Sequence, residues 1–255
     1  MSKKAVLITS IVSLGLLLAG LFLYFTQIVK EDAPRETSHQ APVSNTEEES
    51  NDEPDEAAFD KTTYSLTEPG SIWQVVNKQR AISANYVPDD LVVPNVRLRL
   101  AASAEQMQFR EVATDDLETM FSAADQEDII LVFGSGYRSY QLQKQFYDSY
   151  VARDGQAAAD RYSARPGTSE HQTGISFDAT IPDQTCHLEI CFEDTPQGQW
   201  LAENAHKYGF HLRYREGKES ITGYQYEPWH FRYVGKDLAN ELHRLDLTME
   251  EFFNL

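Results

Sequence analysis

Basic residues are scarce in this sequence: 22 lysines and arginines stand against 40 aspartates and glutamates over 255 residues, a formal charge of −18. Nothing supplies the basic footprint that binding to phosphate backbones needs, so nucleic acid is excluded as a partner. Cysteine is nearly absent. Cys186 and Cys191 are the two in the chain, separated by His187-Leu188-Glu189-Ile190. A short hairpin closed by a disulfide suits such a pair in an exported chain; a metal site using His187 is the alternative, although the alternating pattern reads more like a strand turn. No internal repeat is present.

Charge is also missing from Ala5 to Val29, behind Lys3 and Lys4. Roughly 20 apolar residues cross a bilayer core, and Leu21-Phe22-Leu23-Tyr24-Phe25 places bulky side chains where signal cleavage needs small ones. Residues 1–30 are therefore expected to be a transmembrane anchor, with a cleaved signal peptide as the alternative. The two lysines keep that end in the cytoplasm, which gives a single-pass protein with an extracellular domain at the cell membrane, or a secreted one after cleavage. No cysteine follows the apolar run, which excludes a lipid-modified N-terminal cysteine.

From Glu31 to Asp60 there are eleven acidic residues, one basic residue and three prolines. Such a stretch buries too little apolar surface to offset chain entropy, so residues 31–61 are expected to be a disordered acidic linker. Residues 62–255 then suit one domain with a substantial core.

Within that domain, Asp115-Asp116 reads as the N-cap of a helix carrying Leu117, Met120, Phe121 and Ala124 at helical spacing. Ile129–Phe133 reads as a buried strand ended by Gly134-Ser135-Gly136. Ser139 caps a helix running to Asp154-Gly155, and residues 156–162 add a shorter one. Residues 175–180 alternate as a strand. Thr195-Pro196 starts a helix that Gly209 closes. Strands over 210–214 and 229–234 and helices over 236–243 and 248–252 complete an α+β fold in which a small antiparallel sheet carries the site, flanked by helices.

Two segments stand out: Ser169-Glu170-His171-Gln172-Thr173-Gly174-Ile175-Ser176-Phe177-Asp178 and Glu227-Pro228-Trp229-His230. They offer two histidines and an aspartate as metal ligands and a spare glutamate, the parts of a hydrolytic zinc site. His171 and Asp178 lie seven apart, which is about 10 Å along a helix and more than 20 Å along a strand. A turn must fold the segment back, and Gly174 is the residue suited to it. Pro228 discourages helix and stiffens the backbone beside Glu227, so Glu227 is placed as the base that takes a proton from water while His171, Asp178 and His230 bind Zn²⁺. His39, His187, His206, His211 and His243 are read as surface or structural residues.

The runs Ser135-Gly136-Tyr137-Arg138-Ser139-Tyr140 with Gln143, Ser163 to Gly174 with Asp178, and Thr222-Gly223-Tyr224-Gln225-Tyr226-Glu227-Pro228-Trp229-His230 resemble the VanY-type D-alanyl-D-alanine carboxypeptidases, of the LAS group of zinc metallopeptidases. The resemblance extends to the L,D-carboxypeptidases of the same LAS/hedgehog-like fold. It implies zinc ligands His171, Asp178 and His230, a catalytic Glu227, and an Arg138 that grips a carboxylate or stabilises an oxyanion. Gln143 and Ser169 match positions lining the substrate groove. The implied partners are peptidoglycan stem peptides; contact with the membrane is expected through the N-terminal helix only, and the sequence does not fix the oligomeric state, for which a monomer is the expectation. Ile175-Ser176 and Arg215 depart from the family pattern without touching the ligand set. The leading expectation is release of the terminal D-alanine at a D,D bond; an L,D-carboxypeptidase is the alternative, and an inactive peptidoglycan-binding domain is the reading from another class.

Overall fold

The computed structural model describes residues 59–255, which belong to one unit, Ala58–Leu255. The regular elements are β1 (Leu91–Val92), β2 (Phe109–Arg110), α1 (Glu111–Gln126), β3 (Val132–Ser135), α2 (Tyr140–Asp154), α3 (Gln156–Tyr162), β4 (Ser176–Thr180), α4 (Pro196–Asn204), β5 (Phe210–Leu212), α5 (Glu219–Thr222), β6 (His230–Tyr233), α6 (Lys236–Leu245) and α7 (Met249–Phe253). β1 and β2 pair alone; the other four strands form an antiparallel sheet in the order β3-β4-β6-β5. This is the α+β arrangement expected from the sequence.

Every residue of β4 is buried. Phe177 and Ala179 point into a core with Phe109, Phe133, Phe210, Phe231 and α1, and the stacked Phe133, Phe177 and Phe231 rings lock three strands side by side. The alternate residues, Ser176, Asp178 and Thr180, face the other way. A polar row is thus buried on the far face of the central strand. A second cluster, Trp73, Val75, Leu238, Leu242, Met249 and Phe252, ties α6 and α7 to the segment before β1.

Several boundaries differ from the sequence reading. Helix α1 starts at Glu111, not beyond Asp115-Asp116: the Glu111 amide is taken by the Asp90 carbonyl, a distant partner no local cap rule registers. Asp116 instead lies inside the helix and accepts hydrogen bonds from Tyr233 and Lys236. The strand expected over Ile129–Phe133 is shifted to Val132–Ser135. The helix from Pro196 ends at Asn204 and continues as a 3₁₀ turn, Ala205–Tyr208, closed by Gly209 in the left-handed region. Cys186 and Cys191 form a disulfide, but it closes an irregular loop running into a 3₁₀ turn, Ile190–Asp194, rather than a strand hairpin. Ser139, Thr195 and Thr248 cap their helices, each accepting from a backbone amide three residues on.

The expected membrane placement is corrected. Among the described residues no helix is long and apolar enough to cross a membrane. The longest, α1, has 16 residues, about 24 Å at 1.5 Å per residue, short of the ~30 Å bilayer core. The expected anchor at residues 1–30 and nearly all of the expected linker, with His39, lie outside the described residues. The single-pass localisation is withdrawn.

Candidate active site

Register brings the site together. Asp178 on β4 is the Cα partner of His230 on β6 and also of Ser135 on β3. His171 arrives from a 3₁₀ turn, Glu170–Thr173, that ends on Gly174 at φ +73°. A Cβ there would lie 2.8 Å from Arg110 Cγ, so position 174 needs glycine for both conformation and space. Replacing Gly174 with alanine is expected to destabilise the domain by about 1–3 kcal/mol through that strain, read as a lower midpoint in urea unfolding.

His171 Nε2 lies 3.2 Å from Asp178 Oδ2, and His230 Nδ1 lies 3.0 Å from Asp178 Oδ1. One donor atom from each of the three buried residues falls within 4.8 Å of the others. His171 Nδ1 donates to the Gly136 carbonyl at 2.7 Å, which fixes the tautomer and turns the Nε2 lone pair toward a carboxylate oxygen. Burial lowers the His171 pKa, against the pull of Asp178, and so favours the neutral ring. A lone pair facing a carboxylate 3.2 Å away calls for a cation between them. Metal bonds of about 2.0–2.2 Å to nitrogen and oxygen set tetrahedral donors roughly 3.3 Å apart, so the donor set fits a zinc-like ion.

Burial by itself would raise the Asp178 pKa, but the charge and hydrogen bonds of His171 and His230 outweigh it and hold the carboxyl far below its ordinary range. For His230 burial acts to lower the pKa, yet the hydrogen bond to Asp178 and the neighbouring Glu170 carboxylate raise it to about 9. A cation bound by Asp178 and His230 would take the place of that proton.

Glu227 is held by its backbone: its amide donates to Tyr214 O at 3.0 Å and its carbonyl accepts from His230 N at 3.1 Å. Its Oε2 is 3.8 Å from His230 Nδ1. Burial raises its pKa to about 7, partly offset by His230 and reinforced by Asp178. Arg138 stands opposite, with Nη2 3.7 Å from Asp178 Oδ2 and donating to Ser135 Oγ at 3.3 Å. Gln143 accepts from Arg138 Nη1 at 2.9 Å and donates to Ala164 O at 2.6 Å, which aims the guanidinium. Ser169 is buried in the same wall. These residues share one groove, a cavity of about 580 Å³.

Sequence reasoning missed the support beneath the ligands. Glu170, Arg213, Arg232 and Glu250 are all buried. Arg213 donates to Glu170 at 2.7 Å and to both oxygens of Glu250 at 2.6 and 2.7 Å, while Arg232 donates to Glu170 at 2.9 Å. The second Glu170 oxygen stands 3.5 Å from His230 Nε2, outside good hydrogen-bond geometry; that nitrogen has no such partner. The signal was present: arginine interrupts both Phe210-His211-Leu212-Arg213 and His230-Phe231-Arg232-Tyr233. His187, read as structural, lines the groove. His211 is buried, with its pKa lowered to about 3 by desolvation, and the His206 and His243 rings stack at 3.6 Å, away from the site.

The sequence family described as VanY, D-alanyl-D-alanine carboxypeptidase, matches residues 106–236, a span that holds Arg138, Gln143, Ser169, His171, Asp178, Glu227 and His230. The chain belongs to the VanY family. The putative carboxypeptidase YodJ of Bacillus subtilis (strain 168) is 44% identical over 188 residues, covering 74% of this chain and 69% of YodJ. The structure of the LdcB LD-carboxypeptidase matches with a TM-score of 0.70 and 45% identity over 73% of this chain and 87% of LdcB. The vancomycin resistance D,D-pentapeptidase VanY of a VanB-type cassette, solved as a mutant with Zn(II), matches with a TM-score of 0.57 and 31% identity, covering 70% of this chain and 97% of that one. VanY membership agrees with the α+β fold and with the His171, Asp178 and His230 group, which could hold a metal.

Proposed function

We propose that the chain is a zinc-dependent carboxypeptidase that releases the terminal D-alanine from peptidoglycan stem peptides. The observation that carries this reading is the convergence of three neutralisable ligands, a glutamate with raised pKa and an arginine fork in one groove. The Zn(II) in the VanY relative supports the choice of metal. His171, Asp178 and His230 would hold it, and when bound it supplies Lewis acidity toward water and a peptide carbonyl.

Glu227 takes the proton of the attacking water and hands it to the departing amine. A carboxyl whose pKa burial pushes up from the ordinary range suits transfer in both directions. Arg138 binds the free carboxylate of the terminal residue through charge-assisted hydrogen bonds, held in aim by Gln143, with Ser169 lining the same wall. That grip favours removal of a terminal residue over cleavage within a chain. The Arg138→Ala variant is expected to lose about 10²–10³-fold in kcat/KM while keeping its zinc; equal loss of zinc would point to a structural role.

The residue before the scissile bond decides between two substrates. The sequence expectation was a D,D bond, but the likeness to the LdcB LD-carboxypeptidase at 45% identity, against 31% for the D,D-pentapeptidase, supports the L,D bond of the tetrapeptide. Mass spectrometry of pentapeptide and tetrapeptide stems after incubation with the protein tests both statements. Loss of one alanine from the tetrapeptide supports the L,D reading, loss from the pentapeptide restores the D,D one, and loss from neither removes the carboxypeptidase.

A further inference from the structure

The groove extends past the ligand group to a wall of different composition, made by Arg99 and by the loop between Cys186 and Cys191. Arg99 is rigidly placed. Its amide donates to Phe133 O at 3.0 Å, the Phe133 amide donates to Arg97 O at 2.8 Å, and Leu98 bridges Phe133, so residues 97–99 run along the edge strand β3. The side chain is fixed as well, since Nε donates to Gly134 O at 2.8 Å. That leaves the two terminal nitrogens of the guanidinium. No ion pair joins them to any carboxylate among the described residues, although the chain carries 40 acidic residues. Arg97 on the same segment is paired, with Asp125 at 2.6 Å. Burial lowers the Arg99 pKa, against the pull of the Asp178 charge and with a smaller push from Arg138, yet a guanidinium remains a cation at any physiological pH.

The facing wall is held in place too. The disulfide sets Cys186 and Cys191 with Cα atoms 5.6 Å apart, and Leu188 between them adopts φ +57°, a left-handed conformation costly for a bulky side chain. His187 packs its ring against Gly134, with Cε1 3.5 Å from where a Cβ would stand. Its Nδ1 is buried without a partner. Gly134 is thus the platform for both side chains, accepting from Arg99 and underlying His187. Glu189, also on the loop, is exposed and makes no ion pair with Arg99.

We infer that Arg99, walled by the disulfide-closed loop, is a specificity-determining residue that binds a second carboxylate of the substrate peptide, distinct from the terminal carboxylate held by Arg138. The inference rests on the carboxypeptidase reading and deepens it. A planar fork with its Nε already anchored has lost most of its freedom before binding, and its two free donors match a carboxylate. His187 completes the pocket as a neutral neighbour, since burial and Arg99 itself hold its pKa down. Leu188 offers the apolar contact beside it.

The test uses the zinc-loaded full chain and two synthetic stem tetrapeptides ending in D-alanine, alike except that every internal carboxylate is free in one and a carboxamide in the other. The wild-type protein is expected to show a KM roughly tenfold lower for the carboxylate peptide, the worth of about 1.4 kcal/mol. In Arg99→Gln that ratio should fall to about one, and in Arg99→Lys it should be intermediate. Titration of both peptides onto Glu227→Gln protein reads the same preference without turnover. Equal affinity of the wild-type protein for the two peptides, or a preference that survives in Arg99→Gln, overturns the inference; the wild-type comparison decides even where a variant fails to fold. Release of alanine from neither tetrapeptide sinks the L,D-carboxypeptidase reading instead, and the titration still reports on Arg99.

Discussion

Glu227→Gln protein is expected to fold and bind zinc like the wild type while its turnover falls by about 10²–10⁴-fold, the usual worth of general acid–base catalysis. The amide keeps the shape of the side chain and the backbone bonds to Tyr214 and His230, and it removes the group that carries the proton. The three candidate ligands are untouched. A pH profile gives a second readout. Burial raises the ion-free Glu227 to about pKa 7, and a cation beside it favours the charged form and lowers that value. Activity should therefore rise with pH along a limb centred below 7 as Glu227 loses its proton, and Glu227→Gln should lack that limb. Wild-type rates in the variant would remove Glu227 from the chemistry.

The second large effect is on stability. Glu170→Gln leaves Arg213 and Arg232, both fully buried, with one carboxylate, Glu250, in place of two. Breaking such a buried pair costs about 3–5 kcal/mol because a charge is left without its counter-charge, against a typical total of 5–15 kcal/mol for a domain. Burial works against the ionised Glu170, but Arg213, Arg232 and His230 outweigh it and hold its pKa well below the ordinary 4.5. A carboxyl depressed on folding contributes stability that is complete above its unfolded pKa and is lost as pH falls through the folded one. Urea unfolding should then show the full gap between wild type and variant at pH 7 and a smaller gap below pH 4.5. An unchanged midpoint in the variant at pH 7 would mean that the network carries no net stability.

Local signals made the helices and the candidate ligand group legible. Ser139 and Thr195 announced their helices because a cap is a contact within four residues, and Gly174 announced the turn that folds His171 back toward Asp178. Long-range events were not legible. That Asp178 pairs with His230 across β4 and β6 is a matter of register, which no spacing along the chain encodes. Arg110 makes a poor cap on paper, yet α1 starts there because Asp90, on a distant segment, takes the Glu111 amide. The stretch from 72 to 110, including Arg99, gave no periodicity to read, since its strands are two residues long. Arg213 and Arg232 were visible as charges in apolar strands, but their partners, Glu170 and Glu250, lie 37 to 62 residues away.

Metal removal tests the central claim most directly. Protein stripped of metal by a chelator should release no alanine from stem peptides, and activity should return in proportion to added zinc up to one equivalent, with no recovery in His171→Ala or His230→Ala. Full activity in the metal-free protein, or zinc bound undiminished by both histidine variants, would contradict it.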